Sequence, residues 1–275
     1  MNVRVASVQM DVEFNNPSAN IARIVEHVHN LARRSVKLAV FPECALTGYC
    51  VSTLEEAQSI CIGLDKLAPV REAAKQTGMV VVVGFAEEGC YNTAALFDTD
   101  KEPEFYRKTH LPELGYDKFV KTGDALNVFE TSAGRIGILI CFDVRHPEAA
   151  RTLGIKGADI IAIPTNWPTG ADISADNLCI ARAVENKVFV ITANRIGTEN
   201  GYAFIGKSKL VAPNGQIMDE ARGNEAKVLI ADFDLELARI KRNVTVPGKH
   251  ETTILESRRP ELYGEIVVPK LAKHA

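Results

Sequence analysis

Gly134-Arg135-Ile136-Gly137-Ile138-Leu139-Ile140-Cys141 reads as an apolar strand that carries a cysteine to its carboxyl end. Beyond Phe142-Asp143 a helix is expected from about Pro147 to Lys156, and then a second apolar run, Ile160 to Ile163. Short apolar runs separated by a helix are the pattern of buried strands in an α/β protein. The rest of the chain repeats it. Val3 to Met10 alternates as a half-buried strand, and Asn16-Pro17 then opens a helix with a capping side chain and a first-turn proline. Ile21, Ile24, Val25, Val28 and Leu31 recur at spacings that put them on one helical face, which must pack on a sheet. Leu38 to Phe41 is a short strand, a helical stretch around Leu64 to Thr77 leads through Gly78 into the strand Met79 to Phe85, and Asn92 to Asp98 and Glu104 to Lys108 suggest antiparallel neighbours. Downstream, a helix from about Ala171 to Asn186 precedes the strand Val188 to Asn194. Such alternation argues for an α/β fold, and strands apolar on both faces need two covers; periodicity alone does not choose between a doubly wound sheet and a helix layer with a second sheet.

Three of these strands end in reactive groups. Besides Cys141, Val40-Phe41-Pro42-Glu43 ends in a carboxylate and Phe105-Tyr106-Arg107-Lys108 in an amine. Each has an ordinary reading: a packed thiol, a solvated acid after a proline, a surface base. Together they supply a nucleophile, a base and a cation. A thiol attacking an unactivated amide must lose its proton, and the resulting oxyanion must be stabilised. Glu43 could take that proton while Lys108 and the backbone N–H of Phe142 hold the oxyanion. No histidine is required, although His110 and His146 lie close enough in sequence to Lys108 and Cys141 to keep a Cys-His pair as an alternative.

The contexts of these residues resemble the nitrilase superfamily of carbon-nitrogen hydrolases. The matching blocks are Phe41-Pro42-Glu43 through Thr47-Gly48-Tyr49, Tyr106 to Pro112, Ile140 to Glu148, Pro164-Thr165-Asn166-Trp167, Ala181 to Asn186, Asn194 to Glu199 and Pro213-Asn214-Gly215. They run in the family order from about Val3 to Asp232. The resemblance implies a four-layer αββα sandwich forming a single domain, with Glu43 as general base, Lys108 as oxyanion-stabilising cation and Cys141 as nucleophile. It also implies a homodimer or larger homo-oligomer. Many members carry a second active-site glutamate about seven residues before the Gly-Asp that is Gly123-Asp124 here; counting back lands on Tyr116. Glu113 is the expected substitute, being long and following Pro112, while Asp117 is read as pairing with Lys118.

Composition narrows the remaining classes. With 275 residues, 46% of them hydrophobic, the chain can bury a substantial core. Its 32 basic and 35 acidic residues and 7% aromatics offer neither a polyanion-binding surface nor a stacking platform, so no nucleic-acid partner is expected. No apolar stretch has membrane-spanning length and no signal-peptide pattern opens the chain, so a cytoplasmic protein without a membrane partner is expected. The six cysteines form no CxxC pair, and neither a metal site nor a cofactor is foreseen. From about Glu256 the chain reads as a C-terminal arm.

The expected reaction is hydrolysis of a small-molecule primary amide to carboxylate and ammonia through a Cys141 thioester. The run Phe142-Asp143-Val144-Arg145 is more like amidase branches than nitrile hydrolases, in which a Trp-Glu pair frequently follows the cysteine. An N-carbamoyl hydrolase, then a nitrile hydrolase, are the alternatives, and a catalytically silent binding scaffold is the non-enzyme one. Tyr49 and Trp167 are the expected pocket walls. Arg145 could bind a substrate carboxylate, pair with Glu148 or cap a turn, with a structural role slightly favoured.

Overall fold

The computed structural model describes residues 1–268. In chain order the amino-terminal half contains β1 (Asn2–Gln9), α1 (Pro17–Ala32), β2 (Leu38–Val40), α2 (Leu54–Ser59) and α3 (Ala68–Thr77). It continues with β3 (Val80–Glu87), β4 (Tyr91–Asp98), β5 (Glu104–Arg107) and β6 (Val128–Thr131). Next come β7 (Gly134–Ile138), α4 (Pro147–Ile155), β8 (Ile160–Thr165), α5 (Cys179–Asn186) and β9 (Phe189–Asn194). A small hairpin, β10 (Thr198–Glu199) and β11 (Tyr202–Ala203), precedes β12 (Lys209–Val211), β13 (Ile217–Glu220) and β14 (Lys227–Asp234).

Two six-stranded sheets result, in the orders β14-β1-β2-β3-β4-β5 and β13-β12-β9-β8-β7-β6. Each has three parallel strands at its centre, β1-β2-β3 in one and β7-β8-β9 in the other, flanked by antiparallel partners. The two-residue period of the strands sorts their side chains into layers. Val3, Val5, Leu38, Val40, Val80 and Val82 join the core shared with the second sheet. Their neighbours Ala6, Val8, Ala39, Val81 and Val83 pack instead with Ile24, Val28 and Leu31 of α1 and Val70, Ala73 and Ala74 of α3. On the far side, Leu153 of α4 packs against Gly137 of β7, and Ala149 and Ala150 of α4 with Cys179 and Ala183 of α5 extend the same buried cluster over the second sheet. The fold is an αββα sandwich, and the Ser7 hydroxyl crosses between the sheets to donate to the Thr192 carbonyl at 2.7 Å.

Local chemistry sets the boundaries. Asn16 accepts from the Ala19 N–H at 3.2 Å, capping α1 as its sequence predicts. The helix expected from Leu64 divides into a 3₁₀ turn, Leu64–Leu67, and α3, because Pro69 has no N–H to continue a helix and sits comfortably in a first turn. The helix expected from Ala171 contains a π turn, Ser174–Leu178, ahead of α5. Strands β6 and β12 to β14, which the sequence reading did not specify, lie outside the parallel centres of the two sheets as antiparallel flanking strands. Past residue 256 the described chain forms two 3₁₀ turns, Pro260–Leu262 and Gly264–Val267. Pro269 and the Lys-rich end of the expected arm lie outside the described residues.

Candidate active site

Glu43 lies just beyond β2, where the chain crosses over β3. Phe41 N–H donates to Val82 O at 2.9 Å, Gly84 N–H to Pro42 O at 3.2 Å and Leu46 N–H to Gly84 O at 3.2 Å. The crossing is close enough that a Cβ on Gly84 would lie 2.5 Å from the Cys44 nitrogen and 2.7 Å from the Glu43 Cα. Lys108 follows β5, and its N–H donates to the Asn92 carbonyl of β4 at 2.8 Å. The sheet thus brings three polar side chains to one buried spot.

There they form a closed network. Lys108 Nζ donates to Glu43 Oε1 at 2.7 Å and to Asp117 Oδ2 at 2.5 Å. Asn92 Nδ2 donates to the same Glu43 oxygen at 2.7 Å and to Asp117 Oδ1 at 2.8 Å. The Tyr49 hydroxyl donates to Asp117 Oδ2 at 2.8 Å. Glu43 and Lys108 are wholly buried. Burial alone would lower the Lys108 ammonium's pKa, but the Asp117 and Glu43 carboxylates outweigh it and hold the pKa well above the usual lysine range. Burial raises the Glu43 carboxyl against the opposing pull of Lys108. Of the three protons on the ammonium, two are committed to carboxylates and one remains. Glu43 Oε2 is buried with no hydrogen-bond partner among the described residues.

The fourth residue differs from the sequence expectation. Glu113 is exposed, and Asp117 occupies the place beside Lys108; Lys118, expected to pair with Asp117, is exposed instead. The cause is the 3₁₀ turn Gly115–Phe119, entered through Gly115 at φ 49°, which turns Asp117 inward. A Cβ on Gly115 would meet the Tyr49 ring at 2.6 Å, so this turn packs directly on Tyr49. Tyr116, the position found by counting, points elsewhere: its hydroxyl lies 3.1 Å from Cys61 Sγ.

Cys141 belongs to the second sheet. It begins a 3₁₀ turn, Cys141–Arg145, after β7, with φ 47°, a left-handed conformation costly for a non-glycine residue. Asp143 holds that turn: one carboxylate oxygen accepts from Ile140 N–H at 2.8 Å and the Tyr106 hydroxyl at 2.7 Å. Its other oxygen accepts from His110 N–H at 3.0 Å. The segment carrying Lys108 is therefore tied to the turn carrying the thiol. Phe142 N–H precedes the first bond of the turn, Asp143 N–H to Ile140 O at 3.0 Å, and is not used by it. Burial, with Glu43 adding to it, pushes the Cys141 thiol up to about 12, while Lys108, the Thr165 hydroxyl and the Asn166 N–H pull the other way. A thiol at about 12 is protonated near neutral pH and needs a base before it can act as a nucleophile.

Neither histidine serves Cys141 among the described residues. His110 Nδ1 lies 2.7 Å from Asp143 Oδ1, and its ring stacks on His146 at 3.8 Å between centroids. Cys141 opens into a cavity of about 310 Å³ whose walls include Tyr49, Leu114, Phe142 and Trp167. Both expected wall residues are there. Asn92 was not foreseen, although the strand period that puts Ala94 and Leu96 in the shared core puts Asn92 on that face too. Among the described residues no cluster of His, Cys, Asp and Glu could hold a metal ion, and no helix is long and apolar enough to cross a membrane.

A family model described as carbon-nitrogen hydrolase matches residues 4–243. The chain belongs to this family. Similar proteins include a nitrilase of Pyrococcus abyssi, 36% identical over 270 residues that span 95% of this chain and 99% of that one. An N-carbamoylputrescine amidase of Solanum tuberosum is 33% identical, over 74% of this carbon-nitrogen hydrolase and 73% of its own length. Among solved structures, a mutant of the amidase from Nesterenkonia sp. AN1 in complex with butyramide superposes with a TM-score of 0.78 at 25% identity, covering 95% of each chain.

Proposed function

We propose that this carbon-nitrogen hydrolase is an amidase that cleaves a small primary amide through a thioester on Cys141. The observation that carries the reading is the division of labour on Glu43: Oε1 is held by Lys108 and Asn92, while Oε2 is buried and free to take a proton. Glu43 removes the thiol proton as sulfur attacks the carbonyl, which suits a thiol at about 12 and a carboxyl raised by burial. The remaining Lys108 proton and the Phe142 N–H stabilise the oxyanion. Glu43 then protonates the departing nitrogen, ammonia leaves, and water activated by the same carboxylate hydrolyses the thioester. Asp117 acts through Lys108, keeping it charged and aimed. The likeness to an amidase solved with butyramide supports an amide substrate.

A ureido carbonyl is the second reading, favoured by the likeness to the potato N-carbamoylputrescine amidase. Ammonia release across matched amides, ureides and nitriles tests the choice: preference for either of the latter overturns the amide reading. Intact-mass spectrometry during turnover should show an acyl adduct on Cys141, and labelling confined to another cysteine would remove the mechanism. The same reading takes the chain as one catalytic domain without a cofactor, working in the cytoplasm as a homodimer or larger assembly, the last of which light scattering on the purified protein tests.

A further inference from the structure

Two thiols outside the active site meet beside the turn that carries Asp117. Cys61 follows α2, and the chain after it joins the β3–β4 hairpin: Ile62 N–H donates to Ala86 O at 2.9 Å and Glu88 N–H to Ile62 O at 3.0 Å. Cys90 closes that hairpin with a left-handed φ of 65°, its N–H donating to Glu87 O at 3.0 Å. The thiol and N–H of Cys90 lie within hydrogen-bonding reach of Cys61 Sγ. Both thiols are partly exposed, whereas Cys44, Cys50, Cys141 and Cys179 are buried. Tyr116 spans the pair. It is wholly buried, and its hydroxyl lies 3.1 Å from Cys61 Sγ and donates at 3.3 Å to the carbonyl of Tyr91, the neighbour of Cys90. Tyr116 N–H donates to Tyr49 O at 2.9 Å, and the next residue is Asp117, the partner of Lys108.

We propose that Cys61 and Cys90 are an oxidisable pair that a hydroperoxide converts to a disulfide, and that Tyr116 carries the change to Asp117. With hydrogen peroxide, two thiols give one disulfide and two waters. One thiolate attacks a peroxide oxygen, the O–O bond breaks, and a sulfenic acid and water form. The second thiolate attacks the sulfenic sulfur, the S–S bond forms, and the hydroxide released takes up a proton as the second water. Each sulfur loses one electron and the two peroxide oxygens together gain two. Burial raises the Cys61 thiol, with the Tyr116 hydroxyl opposing it, so the reaction quickens as pH rises. Bonding draws the Cys61 sulfur to Cys90 and removes its S–H, which leaves the buried Tyr116 hydroxyl a poorer partner. The turn is seated on Tyr49 through Gly115, so a shift of Tyr116 moves Asp117 with it and changes the aim of Lys108. Lys108 pulls the Cys141 thiol downward, and a misaimed ammonium does so less. The oxidised protein therefore holds a less reactive Cys141.

The test needs no substrate. Purified wild type is treated with equimolar hydrogen peroxide at about pH 8.5, where an ordinary thiol is half ionised, then cleared of oxidant and peptide-mapped without reduction. A peptide cross-linked through Cys61 and Cys90 is expected, with Cys141 still a thiol, and dithiothreitol should remove the cross-link. Iodoacetamide then reports on the site: alkylation of Cys141 should be slower by ~5-fold or more in the oxidised protein and recover on reduction. In Cys90→Ser no cross-link should form, and peroxide should leave the Cys141 alkylation rate within ~2-fold of the untreated rate. Tyr116→Phe keeps both thiols and lacks the hydroxyl, so it should form the cross-link and lose the slowing. Oxidation of Cys141 while Cys61 and Cys90 remain thiols, or a cross-link between other cysteines, overturns the pair. A Cys61–Cys90 cross-link that leaves Cys141 alkylation unchanged, or slows it equally in Tyr116→Phe, overturns the route to Asp117.

Discussion

The two sheets meet at the active site with opposite characters. The first supplies Glu43, Asn92 and Lys108, joined by Asp117 into a network whose donors find acceptors at 2.5–2.8 Å. The second supplies Cys141 on a left-handed backbone, with Asn166 beside it, whose buried side-chain amide makes no hydrogen bond among the described residues. Charge is thus assembled and cross-braced on one side, with Glu43 Oε2 and one Lys108 proton left over, while backbone strain and an unpartnered side-chain amide lie on the other. A network braced by several hydrogen bonds keeps its geometry when a substrate enters, whereas unspent donors and acceptors are available to one. On the proposed mechanism, the difference teaches that the acid–base half is built ahead of substrate and the thiol half is left for substrate to complete.

The largest expected effect falls where the halves meet. Cys141→Ala should lower kcat by ~10⁴-fold or more while leaving the far-UV spectrum and cooperative unfolding intact, since the first sheet's network does not depend on the thiol. Residual turnover within tenfold of wild type would mean that the second sheet does not furnish the nucleophile. Glu43→Gln comes next, at ~10³-fold in kcat, because it keeps the shape and removes the proton acceptor. The pH profile adds a sign. With its pKa raised by burial, Glu43 is a base only above that raised value, so kcat/KM should fall with decreasing pH along a limb lying above the ordinary glutamate range. Lys108, held well above its usual value, should add no alkaline loss below about pH 10. An acid limb that disappears in His110→Gln would transfer the role to an imidazole.

Asp117→Asn should cost ~10²-fold in kcat, with Glu113→Gln within twofold of wild type. The reverse order would return the fourth position to Glu113 and break the picture of a closed first-sheet network. The smallest effects concern stability and compare two buried asparagines. Asn92→Ala removes donors from two carboxylates and should cost about 2 kcal/mol by urea unfolding, whereas Asn166→Ala, which gives up no protein hydrogen bond, should cost less than about 1 kcal/mol beyond its lost packing. Equal costs would show that the two halves are not differently satisfied.

What the sequence disclosed follows the same line. Glu43, Lys108 and Cys141 each lie just past the end of a strand, and strand ends are positions that periodicity locates well; the αββα layering came from the family resemblance, since apolar strands alone are equally compatible with a doubly wound sheet. Asp117 escaped because its direction depends on a glycine-led turn seated on Tyr49, more than sixty residues away in the chain. Asp143 lay in plain view beside the nucleophile, yet its task of tying Lys108's segment to Cys141's turn is a relation between two sheets, and no local pattern records it.

The contact between Gly84 and Glu43 bears on how such an enzyme can change. With no room for a single methyl group beneath the base, drift at that crossing is blocked, and the reaction itself is held constant. The segment from Trp167 to Ser174, which follows β8 of the other sheet, lines the cavity away from that crossing. New specificities can therefore be tried there one side chain at a time without disturbing the proton transfer, so that chemistry is inherited and appetite is negotiable.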